Sequence, residues 1–355
     1  MNVAINTSPL AGGHSARGTG VYTRHLIDAL ETFETGNTYT FFTSPRDIPK
    51  HSDVVHYPFF DPFFLTLPLV KTKPTVVTVH DLIPLVFPDK FPPGLKGTLK
   101  WQMQKQSLLG SRRIITDSKQ SRDDIVTVTA FSKERIDVVP LAATRANSDA
   151  SEKTIALVKK QYGLPQRYFL YVGDVNWNKN VIGLLRAWQQ FRETDTGRTA
   201  ALVLVGSAFM KPEVRETGEI LSFITRHGLS DSVIRTGFIK DEDLASVYQG
   251  AVALVVPSWY EGFGLPVLDA FASGIPVISS TGGSLPEIAG PAIPVKPDDY
   301  SGMSNAMEQI ASLSSLKRSA LIQKGHEWEK RFTWKKTAAL TVKSYEKALN
   351  HHSNV

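Results

Sequence analysis

The chain has 355 residues, 42% hydrophobic and 21% charged, which excludes a disordered or fibrous polypeptide and, at roughly 100–200 residues per domain, argues for two folded domains. It contains no cysteine, so disulfide scaffolds, cysteine–zinc sites, iron–sulfur clusters and thiol nucleophiles are excluded together. The net charge of +6 is uneven, with 20 basic against 15 acidic residues over 1–165 and 20 against 19 over 166–355.

The opening residues MNVAINTSPL lack a basic stretch followed by a long apolar run, and they read as a first β-strand, not a secretory signal. No apolar stretch approaches the ~18–20 residues that span a bilayer, so the expected setting is cytoplasmic. Short β-branched runs at 3–6, 54–57, 75–79, 113–116 and 136–139 alternate with helical patterns, and the style repeats at 168–172, 201–205, 233–236, 253–256 and 276–279. Strands that are apolar throughout are buried on both faces, which predicts an α/β architecture of two Rossmann-like, doubly wound parallel-sheet domains. A polar stretch, 141–164, carries the linker, ending at Gly163-Leu164-Pro165. The domains are placed at 1–160 and 161–325. A helical segment follows at 326–355, anchored by Trp328, Phe332, Trp334 and Tyr345.

Between the first strand and a helix expected from about Val21 lies a glycine-rich turn containing Gly12, Gly13, His14, Arg17, Gly18 and Gly20. Glycine there admits φ > 0 and close approach of the backbone to a ligand. As a dinucleotide fingerprint it fails, because Thr23 stands where the third glycine belongs. His80-Asp81-Leu82-Ile-Pro84 sits at a strand end, where a histidine is commonly a structural residue. Residues 171–180 run from a strand through Gly173 to Asn178, Lys179 and Asn180.

Residues 255–279 are the most informative. A strand ends near Pro257, a loop passes Glu261, Gly262, Phe263 and Gly264, and Leu265-Pro266 opens a helix carrying Asp269 in its first turn, which Gly274 stops. The glycines and the helix amides form a cradle for an anion. Thr281–Glu287 contains a second glycine pair, Gly282-Gly283, before Glu287. Asp241-Glu242-Asp243 matches D-x-D, but it precedes a helical pattern, where acids act as caps and dipole complements, so it is read as a helix start and not a metal site.

These strings resemble the retaining glycosyltransferases of family 4, whose architecture is the two-Rossmann-domain fold called GT-B. The 261–269 spacing is similar to the family's E-x7-E segment, 80–84 to its HDL-x-P segment, 173–180 to its G-x4-R-K-N segment, and 282–287 to its G-G-x-x-E turn. The resemblance implies a donor nucleotide sugar held in the cleft between domains. It places Glu261 and His80 at the donor sugar, Lys179 at the leaving pyrophosphate, and Asp269 at the ribose hydroxyls. Gly18, Gly20, Gly173, Asn178, Gly262, Phe263, Gly264, Leu265 and Glu287 are expected to line the donor, with Arg17 and Asp81 nearby. Asp269 stands where the family has glutamate and Asn178 where it has arginine, so one lysine is left to carry most of the pyrophosphate charge. Residues 206–207 and 236–239 are expected near the base, and the closing helix is expected to cross back to the first domain.

The implied activity is retaining hexosyl transfer without a metal or other cofactor, with mannose from GDP-mannose favoured, to a saccharide acceptor. UDP-sugar transferases, a nucleotide-sugar 2-epimerase and a non-catalytic sugar-nucleotide binding module are the alternatives. The charge excess concentrates in 90–119, with seven basic residues (Lys90, Lys96, Lys100, Lys105, Arg112, Arg113, Lys119) and one acid, Asp117. Lys96 and Lys100 lie four apart on a helix opened by Pro92-Pro93-Gly94, with Trp101 beside them. That pattern reads either as a peripheral contact with the inner face of the membrane, matching a lipid-linked acceptor, or as a solvated helix face. No base-stacking module is visible, so no nucleic-acid partner is expected.

Overall fold

The computed structural model of the protein describes residues 1–11, 18–144 and 150–350; Gly12, Gly13, His14 and Arg17 lie outside the described residues. Two compact units are present, Met1–Ala142 with Phe332–Val355, and Ala143–Arg331.

The first unit runs β1 (Asn2–Asn6), α1 (Gly18–Phe33), β2 (Thr38–Phe42), β3 (Val54–Tyr57), β4 (Thr75–Thr78), α2 (Ile83–Val86), α3 (Gly94–Leu109), β5 (Arg113–Thr116), α4 (Lys119–Thr129) and β6 (Ile136–Val138). Its sheet is parallel, in the order β2-β1-β3-β4-β5-β6. β3, β4 and β5 are buried along their whole length, as expected of strands covered on both faces.

The second unit runs α5 (Glu152–Gln161), β7 (Tyr168–Val172), α6 (Val181–Phe191), α7 (Asp195–Arg198), β8 (Ala201–Val205), α8 (Arg215–Arg226), β9 (Val233–Gly237), α9 (Asp241–Gln249), β10 (Ala253–Val256), α10 (Leu265–Ala272), β11 (Val277–Ser280), α11 (Leu285–Ile288), β12 (Ile293–Val295), α12 (Tyr300–Ala311) and α13 (Ser315–Glu329). Its sheet is also parallel, ordered β12-β11-β10-β7-β8-β9, which is the dinucleotide-binding strand order of a Rossmann domain. Trp188 is fully buried beside Phe169 and Phe191 in this unit's core.

Three details differ from the sequence reading. The units divide after Ala142 and after Arg331, not at 160 and 325, because the 141–164 stretch contains α5, which is capped by Ser151 and packs on α9. α1 begins at Gly18, so Gly18 and Gly20 lie inside its first turn and not in a loop before Val21; neither has a positive φ. The sequence pattern also omits β12, a three-residue edge strand interrupted by Pro294, and an edge is where a strand tolerates the missing N–H.

The last helix, α14 (Trp334–Asn350), belongs to the first unit and packs on α1, β3, β4 and β5. It closes a polar chain inside that unit. The Tyr345 hydroxyl is hydrogen-bonded to His56 Nδ1 at 2.8 Å, His56 Nε2 to the Thr78 hydroxyl at 2.8 Å, and Thr78 to the Tyr22 hydroxyl at 3.1 Å. All four side chains are buried. Burial, with the charge of His80 adding to it, pushes the His56 pKa down to about 3, so the imidazole is neutral and donates at one nitrogen while accepting at the other.

Tyr345→Phe leaves one His56 nitrogen buried without a partner, and unfolding titrations should show a loss of about 1–3 kcal/mol. The depressed His56 pKa also has a definite sign. Its contribution is present above pH 6.5 and is lost as pH falls from there towards 3, because only the unfolded imidazole takes up a proton in that range. The drop in thermal midpoint across that window should be smaller in His56→Gln than in wild type.

Candidate active site

In open parallel sheets, ligands bind beyond the carboxyl ends of the strands where the strand order reverses. In the second unit that point lies between β7 and β10, which are neighbours although about eighty residues apart in sequence. The two segments leaving these strands carry the residues singled out from the sequence. Lys179 Nζ donates to both carboxylate oxygens of Glu261, at 2.9 and 2.8 Å. Ser258 Oγ donates to Glu261 Oε1 at 2.7 Å. Glu261 is buried and Lys179 partly exposed, so the pair is shielded without being sealed off.

The backbone beneath the pair is fixed by many short-range constraints. The Trp259 N–H donates to the Asn178 carbonyl at 2.7 Å, and Asn178 Nδ2 donates to the Tyr260 carbonyl at 3.0 Å. Asn178 thus ties the two segments together. Asn180, with φ of +52°, donates from Nδ2 to the carbonyls of Pro257 at 2.9 Å and Pro297 at 2.7 Å. Lys179 ends a 3-10 turn before α6, one residue short of the helix itself.

The Gly282-Gly283 pair lies directly against this loop. A Cβ on Gly282 would sit 2.2 Å from the Trp259 carbonyl oxygen, and one on Gly283, whose φ is +62°, would sit 2.4 Å from the Glu261 carbonyl oxygen. Ser284 donates to that same carbonyl through its N–H and its hydroxyl, each at 3.0 Å. Gly264, with φ of +104°, turns the chain into α10 with Leu265-Pro266 opening the helix; Gly262 and Phe263 are buried. Gly274, with φ of +70°, ends it as expected.

Asp269 is placed otherwise than the sequence reading has it. It is the fifth residue of α10, in the second turn and not the first, so complementing the helix dipole does not explain it. Its buried carboxylate accepts from the Thr144 N–H at 2.7 Å and from the Thr144 hydroxyl at 3.1 Å on each oxygen. Glu287 lies in the first turn of α11, partly exposed. Gly173 and Gly206 end β7 and β8 in close approach, a Cβ on Gly206 falling 2.2 Å from the Gly173 carbonyl oxygen. Asp241, Glu242 and Asp243 occupy the first turn of α9, after a Lys240 cap position, and Asp243 accepts from the Tyr162 hydroxyl at 2.7 Å. Among the described residues no three His, Cys, Asp or Glu side chains are grouped to hold a metal ion.

In the first unit, His80 follows β4 and is hydrogen-bonded through Nδ1 to Asp117 Oδ2 at 2.7 Å, with Tyr22 packed edge-on against its ring. Burial by itself lowers the His80 pKa, but the charge and hydrogen bond of Asp117, with Asp81 adding, outweigh it and leave it raised. Asp81, two residues before α2, accepts from the Ile83 N–H at 3.0 Å. The sequence reading missed Asp117 as the partner of His80. The signal was present, since both residues lie just past the ends of strands that pair in parallel. Thr144 and Ser284 carried no signal of their own, because their partners are distant in sequence, whereas Ser258 lies three residues before its partner Glu261.

The comparisons bear on this arrangement. The family model described as Glycosyl transferases group 1 matches residues 155–328, and that described as Glycosyltransferase Family 4 matches residues 36–143. The chain is 31% identical over 281 residues to O-antigen chain mannosyltransferase B of Escherichia coli, covering 78% of this chain and 71% of that one. The chain belongs to the family 4 glycosyltransferases. A second relative of this glycosyltransferase, the MMP alpha-(1->4)-mannosyltransferase of Mycolicibacterium hassiacum, is 30% identical across 70% of this chain and 57% of its own length. Among solved structures, sucrose-phosphate synthase from Thermosynechococcus elongatus superposes with a TM-score of 0.75 at 22% identity, covering 98% of each chain, which places the glycosyltransferase in the GT-B fold.

Gly283→Ala should lower the thermal midpoint by more than Gly228→Ala does. Both glycines have nearly the same positive φ, +62° and +63°, but only Gly283 has the Glu261 backbone in the way, while nothing lies within 4 Å of a Cβ at Gly228. Equal losses in the two variants would mean that the approach to Glu261 costs nothing.

Proposed function

We propose that this glycosyltransferase moves a hexose, mannose from GDP-mannose in the first place, to a saccharide hydroxyl with retention of anomeric configuration and without a metal. The observation that carries the reading is the Lys179–Glu261 pair at the strand-order reversal of a Rossmann sheet. In the proposed reaction the bond between sugar C1 and the β-phosphate oxygen breaks, its electron pair leaving with the nucleoside diphosphate. The acceptor oxygen bonds to C1 on the same face and its proton passes to the departing phosphate. Such a step needs leaving-group stabilisation more than a strong base. Lys179, released from Glu261, would neutralise the diphosphate with the amides around Gly262–Leu265, and Glu261 would orient the hexose hydroxyls. Asp269 would take two ribose hydroxyls in place of the two donors that Thr144 now supplies, and His80 is assigned to the reacting hexose. That the relatives above are named mannosyltransferases supports mannose over glucose or an N-acetylhexosamine.

Transfer of radiolabelled sugar from GDP-mannose, UDP-glucose and UDP-N-acetylglucosamine tests this. Lys179→Ala and Glu261→Ala should each lower kcat by roughly a hundredfold or more, with GDP-mannose the best donor and activity surviving EDTA. Full activity in either variant removes the site assignment, preference for a UDP-sugar removes the donor, and loss of activity in EDTA removes the metal-independent mechanism.

A peripheral membrane contact belongs to the same proposal, with Lys96 and Lys100 retained from the sequence pattern and Trp101 replaced. Trp101 is partly buried and packs against the first unit's core, and Arg113 is buried in an ion pair with Asp137 at 2.6 Å. Leu95, Leu99 and Met103 form instead an exposed stripe on α3, with Leu95 88% and Leu99 68% exposed, beside Lys96 and Lys100. Phe64, Leu65, Leu69 and Val70 are exposed on the neighbouring loop, which Gln104 of α3 holds by accepting from the N–H groups of Thr66 and Leu67. An apolar stripe edged by lysines suits an anionic lipid surface. No helix among the described residues is long and apolar enough to cross a membrane. The protein should float with phosphatidylglycerol-containing vesicles and not with phosphatidylcholine alone, and a Leu95→Glu/Leu99→Glu variant should stay at the bottom of the gradient. Wild type that fails to float overturns the contact.

A further inference from the structure

The two segments that form the Lys179–Glu261 pair make a second contact, each time two residues earlier. Trp177 and Trp259 lie with their rings parallel to within 9° and their centroids 6.3 Å apart. Neither belongs to the unit's hydrophobic core, and both keep part of their surface in solvent, whereas Trp188 of the same unit is fully buried. Leaving indole surface in water forgoes some of the ~25 cal/mol per Å² that burial supplies, so the two rings are an apolar surface placed beside a charged pair. At that centroid separation the two parallel rings are too far apart to be stacked squarely one on the other.

The rings are also held on fixed backbone. Trp259 is pinned by its N–H bond to the Asn178 carbonyl at 2.7 Å and by Gly282, which allows no more than a hydrogen against the Trp259 carbonyl. The Trp177 carbonyl accepts the N–H of Asn180 at 3.1 Å, whose side chain is tied to Pro257 and Pro297. A rigid apolar shelf next to convergent polar groups lowers the ordering cost of binding and is the composition of a small-molecule subsite.

We propose that Trp177 and Trp259 form a stacking platform for a hexopyranose ring, whose apolar C–H face lies on the indoles while its hydroxyls reach the polar groups beside them. The proposal rests on the reading that the Lys179–Glu261 site takes a nucleotide sugar. A pyranose is favoured over a nucleobase because the tryptophans are two residues from the groups assigned to the diphosphate and sugar, and the hexose is bonded directly to that diphosphate while the base is a ribose away. The hexose of the donor and that of the acceptor share this chemistry, and the experiment separates them.

Calorimetric titrations of wild type, Trp177→Ala, Trp259→Ala and Trp259→Phe with GDP, with GDP-mannose, and with methyl α-D-mannopyranoside in the presence of GDP make the test. In the alanine variants GDP affinity should be unchanged while the affinity for one of the two hexose-bearing probes falls roughly three- to tenfold, the scale of an aromatic stack. Trp259→Phe should recover most of the loss. A loss confined to GDP-mannose assigns the platform to the donor sugar, and one confined to the mannoside assigns it to the acceptor. Equal losses for GDP and GDP-mannose point to the nucleobase or to a disturbed loop and overturn the proposal, as do unchanged affinities throughout. Failure of wild type to bind either nucleotide overturns the GDP-mannose reading itself, and the same four proteins titrated with UDP and UDP-glucose then decide the platform by the same criteria.

Discussion

Two parallel strands that leave a sheet at its order reversal must send their chains apart, and nothing in the sheet's own hydrogen bonding holds the loops that follow. In the second unit that constraint falls on the segments after β7 and β10. They are joined by amide side chains where a ladder would otherwise be, through Asn178 to Tyr260 and Asn180 to Pro257, and by glycines at 282 and 283 that let a third loop lie against the second. The bidentate Lys179–Glu261 pair sits on this frame. Removing two charges from water costs several kcal/mol per ion when burial is complete, and their attraction offsets little more than that. The pair therefore adds more to the definition of the site than to the stability of the fold. Lys179 keeps part of its surface in solvent.

The first unit solves a related problem with a different charge state. Two histidines lie close, His56 on β3 and His80 just past the end of the neighbouring β4, and their partners separate them. His56 has only hydroxyls around it and stays neutral; His80 faces Asp117 and is drawn towards the protonated form. Each choice supports the other, because the charge of His80 adds to the burial that keeps His56 uncharged. The tyrosine of α14 that completes the chain explains why a helix at the far end of the sequence belongs to this unit.

Apolar surface left uncovered is confined to particular places. The cores take Trp188, Phe169 and the strand residues out of water almost completely. The α3 stripe with its neighbouring loop remains exposed, and two indoles keep part of their surface in solvent beside the charged pair. Lys96 faces water next to the stripe and Lys100 lies over the Phe64 ring, while Arg113 of the same basic segment is spent on Asp137. The charge excess of that segment is therefore partly a surface property and partly an internal ion pair.

Strand and helix alternation, the parallel sheets and the loops bearing Lys179, Glu261 and His80 were legible in the sequence, because a strand buried on both faces must be apolar throughout and a glycine or proline at a turn is set by local geometry. β12 was not, since Pro294 breaks the pattern that marks a strand, and only its place at a sheet edge makes it possible. Nor could the sequence show that Asn178 ties loops together, that Thr144 meets Asp269, that Asp117 meets His80, or that Trp101 turns inward while Leu95 and Leu99 face out. Each of these depends on groups 37 to 125 residues apart or on which side of a helix meets the core. Local residue chemistry determined what the site is made of. Strand order, which puts β7 beside β10 and β4 beside β5, decided which of those residues meet, because a side chain's partner is chosen by the neighbour that packing supplies and not by the residues beside it in the chain.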